Sequence, residues 1–165
     1  MATDTKNEQL QIRVTPKQKA ALKRAAQRAG QPVSEYVLAR VLPSGRDRLE
    51  ELVGALGDER ERRYALAEVN DLLAGLEPAE LAEAIEVRPP DDLSPYLRNY
   101  LAAMVEQAAT RKAVTPPAWL RAIEPLAEPH FATPLPGLRL HLLRASPIPF
   151  RRRNIFVDSG VGDRV

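Results

Sequence analysis

Gln9-Leu10-Gln11-Ile12-Arg13-Val14-Thr15-Pro16 decides how the first part of this chain is read. Polar and apolar residues alternate without a break from Gln9 to Val14, the period-two pattern of a strand with one buried face. Thr15 can accept a bond from free helix amides, and Pro16 suits a first helical position, so a helix begins as the strand ends. Leu22, Ala25, Ala26 and Ala29 recur at i, i+3, i+4 and i+7, one apolar stripe. Gly30 stands where a helix C-terminal cap belongs. Ser34 is expected to cap a second helix with Glu35 in its first turn; Tyr36, Val37, Leu38 and Val41 supply its inner face, and Pro43-Ser44-Gly45 stops it.

One strand and two short helices cannot close a core alone, because a lone strand has two unpaired edges. A second copy of the chain supplies what is missing. Two strands then pair antiparallel, and four helices cover their apolar side. Leu10, Ile12 and Val14, with Leu22 and Val37 from the helices, form the expected dimer core. Gln9, Gln11 and Arg13 face outward on a two-stranded ribbon, which fits the DNA major groove. Gln can pair with adenine and Arg with guanine. The helix start near Ser34 can hold a phosphate on free amides. Lys17 is the first of several cations, followed by Lys19, Lys23, Arg24 and Arg28, that would draw the DNA backbone. The competing reading is an edge strand and two helices of a larger α+β domain, with Gln11 and Arg13 merely solvated.

Residues 10–42, LQIRVTPKQKAALKRAAQRAGQPVSEYVLARVL, resemble the Arc/MetJ-type ribbon-helix-helix family, especially its bacterial antitoxin members. The shared order is an alternating strand, Thr-Pro-x-x-Lys, an alanine-rich helix and Gly-x-x-x-Ser-Glu-Tyr-Val. The resemblance implies a dimer that binds operator DNA.

Composition narrows the rest. Apolar residues make up 44% of the chain but aromatic ones only 5%, so the core must be mostly Leu, Ala and Val, and mainly helical. There is no cysteine, which excludes disulfides, thiolate catalysis and cysteine-bound zinc. No apolar run is long enough to span a bilayer and Met1 to Gln9 is no signal peptide, so a soluble cytoplasmic protein is expected. The net charge of +2 divides into +5 over residues 1–50, −6 over 51–112 and +3 over 113–165.

The acidic middle reads as four helices: Arg46 to Leu56, a second opened by Asp58 and closed by Gly75, Leu76 to Val87, and a last from Ser94-Pro95 to about Lys112. Tyr64, Leu66, Val69, Leu72 and Leu73 are candidate buried positions of the second. Leu97, Leu101, Met104, Val105 and Ala108 line one side of the last. Glu77, Glu80, Glu83 and Glu86 drift round a helix and read as a solvated face, not a metal site. No metal or cofactor is expected. His130 and His141 stand near no nucleophile at a triad's spacing, and no phosphate loop or zinc motif is present, so no enzyme is expected.

From Val114 prolines interrupt the chain, leaving room for one short helix over Leu138 to Ala145. Trp119, Phe150, Arg151, Arg152, Arg153, Asn154 and Phe156 are of types enriched at protein interfaces, so an extended, partner-binding tail is expected. The alternatives are a tail folded back on its own helices, or arginines that touch nucleic acid. The pattern Thr-Pro-Pro-Ala-Trp … Leu-x-x-x-Ser-Pro-x-x-Phe-Arg-Arg-Arg-Asn-Ile-Phe-Val-Asp, with Asn99 to Ala109, resembles bacterial proteins encoded beside nucleotidyltransferase-type toxins. Those relatives often lack the N-terminal module, so the resemblance implies a fusion.

The expected fold is therefore mainly α: a flexible terminus over 1–7, a ribbon-helix-helix module over 8–44, a small helical domain over 46–112 and an extended tail over 113–165. The expected function is an antitoxin that binds operator DNA as a homodimer and masks a nucleotidyltransferase-like toxin with its tail. The alternative is a stand-alone ribbon-helix-helix regulator whose C-terminal part senses a ligand or drives oligomerisation.

Overall fold

The computed structural model describes residues 11–41 and 43–158, and the chain is mainly helical. It divides into two compact units, Met1–Leu42 and Pro43–Val165.

In the first unit, residues 11–15 take no strand conformation. No strand is found among the described residues of the first unit for Gln11–Val14 to pair with, and Gln9 and Leu10 lie outside the described residues. Helix α1 (Pro16–Arg28) begins where Thr15 and Pro16 require. The Thr15 hydroxyl accepts from the Gln18 amide at 3.3 Å, and the Gln18 side chain accepts from the Thr15 amide at 2.8 Å, a reciprocal cap. Gly30, just past the helix, sits at φ +66°, a left-handed conformation that glycine adopts without steric cost. Helix α2 (Val33–Val41) packs on α1 and starts two residues earlier than expected. Ser34 therefore lies inside its first turn, not ahead of it; the Pro32 carbonyl accepts the bond from Tyr36 that opens the helix.

The second unit is built on α3 (Gly45–Ala55), α4 (Arg62–Gly75), α5 (Pro78–Ala84) and α6 (Pro95–Arg111). Ser44, expected only to stop α2, caps α3 through a reciprocal bond with Asp47. Tyr64 is 74% exposed; Ala65 takes the inward place on α4 beside Val69 and Leu73. Helix α6 starts at Ser94-Pro95 and is buried on nearly every side, with Ala102, Ala103 and Ala109 as inaccessible as Leu97 and Leu101. A helix buried on most of its sides belongs at the centre of a core, and needs cover on more sides than α3 to α5 provide.

The C-terminal segment supplies that cover, which corrects the expected extended tail. After a 3-10 turn (Ala118–Ala122) come β1 (His130–Phe131), α7 (Pro136–Ala145), α8 (Ile148–Arg152) and β2 (Ile155–Phe156). The two short strands pair in parallel, His130 opposite Ile155 and Phe131 opposite Phe156. Helix α8 packs on α6, and Leu120, Phe150, Ile155 and Val157 join the same buried cluster as α3 to α6. Each such side chain contributes about 1.5–3 kcal/mol when withdrawn from water. The middle and the tail are thus one folded unit, and the expected boundary at 112/113 is not a boundary.

Candidate functional site

In the first unit Gln11, Arg13 and Lys17 are exposed, as are Lys19, Lys23, Arg24 and Arg28 on α1. Ser34 is exposed in the first turn of α2, where helix amides are still free. Gln9 and Leu10 lie outside the described residues. Leu22 and Val37 are half-buried between α1 and α2, and Ala26 is the one fully buried apolar residue described in this unit. The larger apolar side chains remain in water: Ile12 is 61% exposed, Val14 43%, Val33 38%, Leu38 38% and Val41 72%. Two helices and an extended segment leave their apolar surface uncovered within a single chain.

This is also where known proteins resemble the chain. Residues 4–73 match the NikA-like family, Mobilization protein NikA. The match spans the first unit and runs on through α3 into α4, less than half of the chain. No curated protein and no solved structure matches.

The residues expected to bind a toxin have been divided by folding. Phe150 is 1% exposed, and its ring meets Tyr100 edge-on at 5.3 Å. Phe156 is buried and stacks on Phe131 at 4.8 Å. Trp119 is half-buried, its Nε1 donating to the Ile85 carbonyl at 2.9 Å. The three consecutive arginines part company. Arg151 and Arg152 are exposed, and Arg152 reaches Glu106 at 3.2 Å. Arg153 is 6% exposed. Its guanidinium lies 3.6 Å from Glu106 Oε2 and donates to Asn99 Oδ1 at 3.4 Å and to the Leu120 carbonyl at 3.3 Å. Burial lowers its pKa, and Glu106 opposes that shift. Asn154 sits at φ +61°, and its side-chain amide donates to the Leu126 carbonyl at 3.0 Å. Arg153 and Asn154 thus hold the tail to α6 and to the loop before β1.

Sequence reading missed the two side-chain partners of Arg153. Asn99 and Glu106 are polar positions on a helix that is largely withdrawn from water, and a polar side chain there needs a partner. It also missed the outer surface of α7. Leu135, Leu138, Leu140, Leu143 and Ile148 are between 41% and 68% exposed. Arg139 and Arg144 lie among them, and no acidic residue occurs between Glu128 and Asp158. Among the described residues no three His, Asp or Glu side chains converge on a metal position, and no helix is long and apolar enough to cross a membrane.

Proposed function

We propose that the protein is a dimeric DNA-binding protein of ribbon-helix-helix type. Two first units pair through Gln9–Val14, bury Leu10, Ile12 and Val14 with Leu22 and Val37, and present Gln9, Gln11 and Arg13 to the major groove. The observation that carries the reading is the exposed apolar set of the first unit, with Ile12 at 61% and Val41 at 72% around one small buried alanine. A unit this short cannot be stable with that surface in water, and a second copy covers it at no cost in new sequence. The alternation of Gln9–Val14 and the similarity of residues 4–73 to the NikA-like family, itself of ribbon-helix-helix type, support it. No catalytic step is assigned to the chain.

Two targets follow from the two lines of similarity: an operator before the chain's own gene, as in an antitoxin repressor, or DNA used in mobilization. Fluorescence anisotropy against genomic duplexes selected by the full-length protein decides between them. The double variant Gln11→Ala, Arg13→Ala should lose at least tenfold in affinity for the selected duplex while keeping its dimeric mass. Unchanged affinity and salt dependence would remove the ribbon as the reader.

The antitoxin reading keeps one specific observation of its own, the exposed leucines of α7 set among arginines. A toxin with an acidic, apolar-rimmed surface would dock there and on Arg151 and Arg152. Phe150 and Phe156, buried in this chain's own core, would support that surface without touching the partner.

A further inference from the structure

Several cations of the second unit that are withdrawn from water have partners for their terminal or side-chain nitrogens. Arg153 has Glu106, Asn99 and the Leu120 carbonyl; Lys112 Nζ donates to the carbonyls of Ala74 and Leu76; Arg62 Nε donates to the Leu56 carbonyl at 3.1 Å. Arg98, on the first turns of α6, breaks the pattern. It is half-buried, and its Nε, like that of Arg153, is shielded from water with no acceptor among the described residues; Arg153 at least has its terminal nitrogens engaged by Glu106, Asn99 and the Leu120 carbonyl. It takes part in none of the ion pairs described. A shielded guanidinium nitrogen without an acceptor disfavours the fold, and an acceptor from outside the chain would relieve that cost.

Arg98 lines a cleft of about 400 Å³ between α6 and residues 122–127. Both walls are fixed in place. Asn99 Nδ2 donates to the carbonyls of Pro95 and Glu124, each at 3.0 Å, tying the loop to the helix. Further along the loop, the Leu126 amide donates to the Arg153 carbonyl at 3.3 Å, and Asn154 grips the Leu126 carbonyl. Ile123 and Leu126 give the cleft half-buried apolar flanks; the one carboxylate on its rim is Glu124, whose side chain is exposed.

We propose that this cleft binds a small ligand bearing a carboxylate or phosphate group, held by the fork of Arg98, with its body against Ile123 and Leu126. A guanidinium presents parallel N–H donors that match either anion. The pre-tethered loop means little ordering is needed on binding. A bound anion joins α6 to the loop that Arg153 and Asn154 already hold, so it stiffens the second unit. The site is independent of how the first unit is used.

The test uses full-length protein with labelled arginine side chains, followed by NMR at constant ionic strength. Inorganic phosphate and succinate are the two probes. A saturable shift of the Arg98 Nε–H signal, with Kd at or below about 5 mM for either probe, is expected. The probe that saturates names the anion class, and saturation by both leaves a general anion site. Calorimetric affinity should fall at least tenfold in Arg98→Gln. It should rise several-fold in Glu124→Gln, which removes the nearest negative charge. Should Arg98→Gln fail to fold, Arg98→Lys keeps the charge without the fork and should still weaken binding. The proposal is overturned if neither probe saturates by about 20 mM, or if the Arg98 variants bind as the parent does.

Discussion

Replacing Phe150 by alanine separates an interface tail from a folded one. Its ring is 1% exposed and packs edge-on against Tyr100. Core Phe→Ala changes cost about 3–5 kcal/mol. Phe150 also borders an open cleft of about 150 Å³ shared with Leu73 and Met104, so water can enter the space that it leaves. That places the cost near the lower end, about 3 kcal/mol. With a urea dependence of about 2 kcal/mol per molar, the unfolding midpoint of the second unit drops by about 1.5 M. Trp119 is the only tryptophan and belongs to that unit, so its emission follows the transition selectively. A midpoint shift under about 0.3 M would refute the packing described, and leave Phe150 free to serve a partner.

Arg153→Met should cost about 3 kcal/mol by leaving the Asn99 and Leu120 oxygens without their buried donor and Glu106 with Arg152 alone, whereas Arg151→Ala should change stability by less than about 0.5 kcal/mol; urea titrations of both variants check the contrast. Gly30→Ala should destabilise the first unit by about 1 kcal/mol, read as a lower melting temperature, because φ +66° disfavours a side chain although no atom lies within 4 Å of the added Cβ. Burial raises the Tyr96 pKa from 10.0 to about 12. The unfolded chain therefore loses this proton first, and stability falls as pH rises from about 10 to 12. After allowance for the partly exposed ring the fall is about 1–2 kcal/mol, and Tyr96→Phe should flatten it in melts across that range.

Helix starts were legible because their signals are local. Thr15-Pro16 and Ser94-Pro95 set α1 and α6 from two adjacent residues each, and Gly30 marked the turn after α1. Burial was less legible. Tyr64 fits the same helical period as Ala65, and only the packing of α4 chooses the alanine. Ala102, Ala103 and Ala109 carry too little apolar weight to announce that α6 is buried on most of its sides. The need for a covering tail therefore did not show in the pattern. Arg151, Arg152 and Arg153 are chemically identical; their different fates come from Glu106 and Asn99, 47 and 54 positions away for Arg153. In the first unit the strand pattern asks for a partner strand, and the described residues of that unit hold none, so Gln11–Val14 is unpaired there.

The direct test of the paired ribbon is a distance between two copies. The chain has no cysteine, so a spin label on Gln11→Cys reports from one position only. Antiparallel pairing of Gln9–Val14 brings the two labels within about 20 Å, given neighbouring strands about 5 Å apart and the labels' own reach. Double electron–electron resonance on the full-length dimer should show a single short distance in that range, lost when Ile12→Lys is added. A monomeric mass, or a dimer whose labels lie farther than about 30 Å apart, would contradict the account.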